Sequence, residues 1–170
     1  DDPVVFMFHK TLQGLGWMDP LEASVGHVPE KAYTVPLGKA RVAREGADVT
    51  IVAIQMMTVY AEEAAKRLAE EGIEAEVIDL RSLVPLDKEA ILESVRKTHR
   101  LLVVDEDYLS YGMTAEISAV VAEEALFDLD GPIKRLAIPD VPIPYSRPLE
   151  QFVVPSADKI YETVKEMLEE

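Results

Sequence analysis

Val49-Thr50-Ile51-Val52-Ala53-Ile54, Ala75-Glu76-Val77-Ile78-Asp79-Leu80 and Leu101-Leu102-Val103-Val104-Asp105 are the stretches that decide the fold. Each is short, rich in β-branched residues and nearly continuous in apolar side chains, the pattern of a strand covered on both faces in a parallel sheet. A fourth such run spans residues 133–138. Between the runs the apolar spacing changes to that of helices. Met57, Ala61, Ala64 and Leu68 form one stripe of a helix over residues 57–71, with Gly72 as its stop. A second helix follows Pro85, with Asp87 as N-cap and Ile91 and Val95 facing inward, and ends near Thr98. A third opens after Gly112, with Met113, Ile117, Val120, Val121 and Ala125 at core spacing. A fourth follows Pro155 with Ser156 as cap, burying Ile160, Val164 and Leu168. This βαβαβαβ alternation predicts right-handed crossovers and an α/β fold, a three-layer α/β/α sandwich around a mostly parallel sheet. Residues 40–44 are expected to add an antiparallel edge strand, because the turn at residues 45–48 is short enough for a hairpin.

The 170 residues are enough for one sizeable core and fall within the range of a single domain. Hydrophobic residues make up 48% of the chain, yet charges break every apolar run well before the roughly 18 residues of a membrane span. The opening Asp1-Asp2-Pro3 lacks the basic and apolar regions of a signal peptide, and it reads as a chain that begins mid-protein. Cysteine is absent, which excludes disulfides, thiolate metal sites and a Cys nucleophile and leaves a cytoplasmic location as the expectation. The net charge of −15 repels nucleic acid and anionic membrane. It suits a basic protein partner, or simply keeps the domain soluble. Residues 1–36 differ from the rest: residues 4–8 resemble the last strand of a preceding domain, followed by a Gly- and Pro-punctuated linker, and the α/β domain occupies residues 37–170.

Ligands of open α/β sheets bind beyond the carboxyl ends of the strands. Those ends carry Gln55, Asp79 with Arg81, Asp105-Glu106-Asp107 and Asp140. Asp79, Asp105 and Asp107 could gather a Mg²⁺ ion for phosphoryl transfer. The plainer reading, that Asp79 and Arg81 satisfy each other and that residues 105–107 form a solvated strand end, carries more weight. His9, His27 and His99 have no metal-ligand spacing, no Gly-x-Ser-x-Gly elbow exists, and neither Gly14-Leu15-Gly16 nor Leu37-Gly38-Lys39 fits a phosphate loop. No catalytic, cofactor or metal residue is therefore assigned. Met56, Val59 and Tyr60 widen the apolar arc of the first helix beyond one buried face. Either they mark a protein interface, with the chain a self-assembling structural module, or a neighbouring loop such as residues 14–28 covers them.

From Tyr33 onward, ordered motifs add a second line of argument. They are Tyr33-Thr34-Val35-Pro36-Leu37-Gly38-Lys39-Ala40, Glu76-Val77-Ile78-Asp79-Leu80-Arg81-Ser82-Leu83, Pro85-Leu86-Asp87, Ser94-Val95-Arg96-Lys97-Thr98, Val103-Val104-Asp105-Glu106, the helix entry from Gly112 to Ile117, and Pro139-Asp140-Val141-Pro142-Ile143-Pro144-Tyr145. With these the chain resembles the C-terminal, transketolase C-terminal-like domain of the β subunit of thiamine-diphosphate-dependent 2-oxo acid dehydrogenases, the E1 component of pyruvate, branched-chain and acetoin complexes. The resemblance implies a five-stranded mixed sheet with one antiparallel strand. It also implies an oxidoreductase whose thiamine diphosphate and Mg²⁺ lie between the α subunit and the N-terminal domain of the β subunit. The glutamate that activates the cofactor belongs to that N-terminal domain, so no cofactor is expected to bind this chain alone. Its implied role is subunit association, with the E1 α subunit as a partner, and docking of the basic subunit-binding domain of the E2 acyltransferase; a homo-oligomer is a further expectation. Asp128, Asp130, Glu169 and Glu170 are the candidates for that acidic docking surface. Where the family carries a Met-Val-His run, this chain reads Met56-Met57-Thr58-Val59-Tyr60, so a contact through that imidazole is lost. An excised domain with an altered, engineered apolar surface is the accompanying expectation.

Overall fold

The computed structural model describes residues 3, 5, 7–13 and 24–169. Contacts divide the chain into two compact units, Asp1–Val35 and Pro36–Glu170. In the first, a single helical turn, α1 (Lys10–Gln13), is closed by Leu12 N–H donating to the His9 carbonyl at 3.2 Å. The Ser24 hydroxyl donates to the Leu12 carbonyl at 3.0 Å. Of the strand expected at residues 4–8, positions 5, 7 and 8 are without regular structure, and positions 4 and 6 lie outside the described residues.

The second unit is built on a five-stranded sheet: β1 (Arg41–Arg44), β2 (Val49–Ala53), β3 (Ala75–Asp79), β4 (Leu101–Tyr108) and β5 (Lys134–Ile138), in the order β1-β3-β2-β4-β5. All neighbours are parallel except β1 with β3. The five residues of β2 are all buried, as are Ala75 to Ile78 of β3 and the first five residues of β4. That explains their unbroken apolar runs, since helices cover both faces. On one face lie α2 (Met56–Glu70) and α6 (Ala157–Glu169); on the other lie α3 (Lys88–Thr98) and α4 (Met113–Glu124). The core between the sheet and α3 and α4 centres on Val52, Ile78, Leu80, Ile91, Val95, Val103, Ile117 and Val121.

Several local expectations are met at atomic detail. Gly72 ends α2 with φ +82, the left-handed region that costs glycine least. The Ser156 hydroxyl accepts from Lys159 N–H at 3.3 Å at the start of α6. Others are corrected. β1 pairs with β3 and not with β2, because β2 is enclosed by parallel neighbours on both sides, whereas β3 has an edge open to it. Gly46 makes this turn possible by passing so close to the next strand that a Cβ would meet the Ala75 carbonyl carbon at 2.3 Å. Asp87 stands at the N-cap position of α3 without capping it. Its carboxylate instead accepts from Ala40 N–H at 3.0 Å and pairs with Lys39 at 3.5 Å, tying the entry segment to the sheet. In α6 the buried series is Ile160, Val164 and Met167, with Leu168 only half-buried, since the i, i+4, i+7 stripe faces the sheet. A further helix, α5 (Arg147–Val153), was not expected.

Candidate association surface

The crossovers from β2 and from β4 leave the sheet in opposite directions, so the carboxyl ends of these two strands bound its topological switch point. Gln55 sits there with φ 51 and ψ −121, a strained conformation imposed by the short link from β2 into α2. Across from it Asp105 is 8% exposed, and its carboxylate accepts from Glu106 N–H at 2.8 Å. Burial pushes the Asp105 carboxyl up to about 6, with the like charges of Asp107 and Glu106 adding to the rise against the backbone N–H groups of Glu106 and Asp107. Burial also raises the hydroxyl of Tyr60, reinforced by Glu106 and Glu63.

The carboxylates considered for a metal ring, and set aside in favour of the plainer reading, do not converge. Asp79 ends β3, on the far side of β2 from β4, and is taken up by Arg41 at 3.4 Å and Arg81 at 3.9 Å. Asp107 accepts from Tyr108 N–H, and Asp140 from the Ser110 hydroxyl at 2.6 Å. Among the described residues no group of three or more His, Cys, Asp or Glu could hold a metal ion. Among the described residues, these carboxylates do not fit a Mg²⁺ site. Nor is any described helix long and apolar enough to cross a membrane.

The apolar arc of α2 has a packing explanation. Its face toward the sheet buries Met57, Ala61, Ala64 and Leu68, and a second flank packs on α6. Met56 is only 4% exposed, so it cannot belong to an open patch, while Val59 and Tyr60 are half-buried. Tyr60 lines a groove of about 340 Å³ with Gln151, Val154, Pro155, Ser156 and Asp158. Most of residues 14–28, the loop considered as cover, lie outside the described residues.

The open apolar surface is elsewhere, on the loops that leave β4 and β5. Tyr111 and Tyr145 are fully exposed, Phe152 is 76% exposed, and Tyr108, Val141, Ile143 and Leu149 are also open. The two loops are bound together: Leu109 N–H donates to the Ile138 carbonyl at 2.7 Å, Ser110 binds Asp140, and Arg135 donates to the Leu109 carbonyl at 3.0 Å. Helix α5 continues the second loop directly. Residues 108–112 and 139–153 contain only three charged side chains, Asp140, Arg147 and Glu150, in a chain that is 29% charged. Aromatic enrichment with charge depletion is the composition of an interface core. The sequence signal for this surface was the proline-spaced run from Pro139 to Tyr145, whose apolar side chains stay largely exposed.

The acidic candidates lie at the opposite end. Asp128 and Asp130 precede β5; the Asp128 carboxylate pairs with Arg96 at 3.4 Å, and His99 Nδ1 bonds the Asp128 carbonyl at 2.7 Å. Leu126 and Phe127, beside them, are 52% and 100% exposed. Arg67 pairs with Asp158 and Glu71 with Lys165, so α2 and α6 run parallel and Glu169 also reaches the strand-start end. Glu170 lies outside the described residues.

Residues 38–160 match the family described as "Transketolase, C-terminal domain". The chain is 42% identical over 170 residues to the 2-oxoisovalerate dehydrogenase subunit beta of Bacillus subtilis, covering 99% of this chain and 50% of the relative. It is 45% identical over 164 residues to a mitochondrial pyruvate dehydrogenase E1 component subunit beta-2 of Oryza sativa, covering 96% and 42%. Among solved structures, one described as a split gene transketolase, an inactive beta4 tetramer, superposes with a TM-score of 0.70 at 32% identity, covering 84% of this chain and 45% of the other. The chain thus spans about half the length of the curated relatives it matches. Fold, motif order and identity together make this chain a member of the transketolase C-terminal domain family, of the kind found in the β subunits of 2-oxo acid dehydrogenase E1 components.

Proposed function

We propose that this chain is a non-catalytic association domain of a 2-oxo acid dehydrogenase E1 β subunit, serving oxidative decarboxylation only within a larger assembly. The observation that carries the reading is the aromatic, nearly charge-free surface of Tyr108, Tyr111, Val141, Ile143, Tyr145, Leu149 and Phe152 on an otherwise strongly acidic domain. Two copies with a net charge of −15 each repel except where charge is depleted, so this surface suits a second copy of the chain. Arg147 and Glu150 lie one turn apart on α5, opposite charges that two copies related by a two-fold axis could pair reciprocally. That a solved relative is described as a beta4 tetramer supports association between like chains. Thiamine diphosphate and Mg²⁺, and the E1 α subunit that shares them, belong on this reading to the rest of the parent enzyme.

Sedimentation tests the association: the native chain is expected to be a dimer or larger at micromolar concentration, and Phe152→Asp with Tyr111→Asp to shift it toward monomer. A wild-type monomer at tens of micromolar would overturn the reading. So would tight, Mg²⁺-dependent thiamine diphosphate binding to the isolated chain by calorimetry. A second surface suits the basic subunit-binding domain of the E2 acyltransferase: Asp128 and Asp130 follow the fully exposed Phe127 in sequence, and Glu169 lies at the same, strand-start end of the sheet.

A further inference from the structure

Helix α5 carries two apolar residues of the association surface, Leu149 and Phe152, yet none of its seven residues is buried. Tyr60, Gln151 and Val154 line a groove at its C-terminal end, where Val153 and Val154 are only half-buried and residues 147–152 are exposed. Within the chain a helix of this length is far below what is stable alone. What meets its last carbonyls is one ammonium group. Lys159, in the first turn of α6, donates from Nζ to the Val154 carbonyl at 2.9 Å, to the Phe152 carbonyl and, more distantly, to the Gln151 carbonyl at 3.5 Å. Its Nζ also lies 5.7 Å from the centre of the Phe152 ring.

The match is chemical as well as geometric. The last carbonyls of a helix lack intrahelical donors and form the negative end of its dipole. An ammonium offers three donors and a positive charge, one donor for each of the three carbonyls. The Ser156 hydroxyl accepts from the Lys159 backbone N–H, which fixes the residue that carries the ammonium.

We infer that Lys159 is the positioning residue of the association surface: its ammonium caps α5 and holds Leu149 and Phe152 in the outward geometry that a second copy meets. This inference rests on the association role proposed above. It assigns the order of the docking helix to a residue that would itself make no contact with the partner.

Hydrogen exchange on the 170-residue chain tests it directly. The reporters are the amides of Glu150, which donates to the Ser146 carbonyl at 2.8 Å, and Val154, which donates to the Glu150 carbonyl at 3.0 Å. Lys159→Met keeps the aliphatic stem and removes the donors, whereas Lys159→Arg keeps charge and donors. In Lys159→Met both amides are expected to exchange faster by about tenfold or more, the scale of losing hydrogen bonds to a charged group. Amides of β2 and β4 should not change, and Lys159→Arg should restore α5. Self-association measured by sedimentation should weaken by about tenfold in Lys159→Met, with an unchanged melting temperature of the domain. Unaltered exchange at Glu150 and Val154 would overturn the inference, as would faster exchange with undiminished association. Phe152→Asp separates the two layers: if it abolishes association while Lys159→Met does not, the positioning role fails; if neither changes association, the docking reading itself fails.

Discussion

Replacing Asp105 by Asn should stabilise the domain at neutral and alkaline pH, and the effect should vanish in acid. Asp105 ends the buried part of β4 with 8% exposure, and its carboxylate accepts from the neighbouring Glu106 N–H at 2.8 Å. Burial, aided by Asp107 and Glu106, lifts its carboxyl from 3.8 to about 6. Between those two values the folded chain keeps a proton that the unfolded chain has released. The folded state therefore binds more protons, and stability falls as pH rises through this window. The contribution is fully present below about pH 4 and lost above about pH 6. At ~1.4 kcal/mol for each pH unit the rise corresponds to a ceiling of about 3 kcal/mol. Water reaching the strand end and local relaxation reduce this to ~1–2 kcal/mol. Asn is nearly isosteric and its Oδ1 still accepts from Glu106 N–H, so the substitution removes the charge and little else. Urea unfolding at several values from pH 4 to 8, for both proteins, gives the difference profile, in which other carboxylates cancel. The variant should gain ~1–2 kcal/mol at pH 8 and nothing at pH 4. Parallel profiles across that range would refute the assignment of a costly buried charge to Asp105.

At the other end of the sheet, Glu76 is almost fully buried, and its carboxylate pairs with Lys97 and accepts from Gly46 N–H at 3.3 Å. Burial opposes its ionisation, but bonds from Lys97, Ser94 and Gly46 outweigh that and hold its pKa below the usual carboxylate range. A depressed carboxyl contributes stability that is present above the ordinary glutamate pKa and lost as pH falls. Lys97→Met should cost ~2–4 kcal/mol by thermal or urea unfolding, with Glu76→Gln recovering part of the loss in the double variant; a cost near zero would show the pair to be solvated. For the acidic surface, Asp128→Lys with Asp130→Lys should weaken binding of a basic E2 subunit-binding domain by about tenfold or more, and wild-type binding should fall with added salt. Salt-independent binding, read by calorimetry, would exclude an electrostatic rim.

The layered architecture was legible because burial on both faces writes itself as unbroken runs, and Val49 to Ala53, Ala75 to Ile78 and Leu101 to Asp105 all carry that signature. Helix stops and caps at Gly72 and Ser156 were legible for an equally local reason: they depend on backbone geometry within a few residues. What escaped depends on partners far apart in sequence. β1 chooses β3 over the adjacent β2 because of an edge created by later strands. Asp87 abandons its cap for Ala40, 47 residues away. The wide apolar arc at Met56, Val59 and Tyr60 suggested an interface because periodicity reports how much of a helix is covered and not by what; α6 and the turn before it are part of the answer. The open aromatic surface was missed for the opposite reason, since isolated Tyr and Phe residues among prolines carry no period at all.

The two margins of the sheet narrow the ways in which copies of this domain can meet. β1 is four residues long, irregular in its pairing and bracketed by Arg41 and Arg44, both engaged in ion pairs. β5 opens with Lys134 and Arg135. Short, bulged and cationic borders discourage a neighbouring strand from extending the ladder. Growth by lateral stacking into a continuous ribbon is thereby disfavoured, which leaves the loop ends of the sheet as the faces open to a neighbouring molecule.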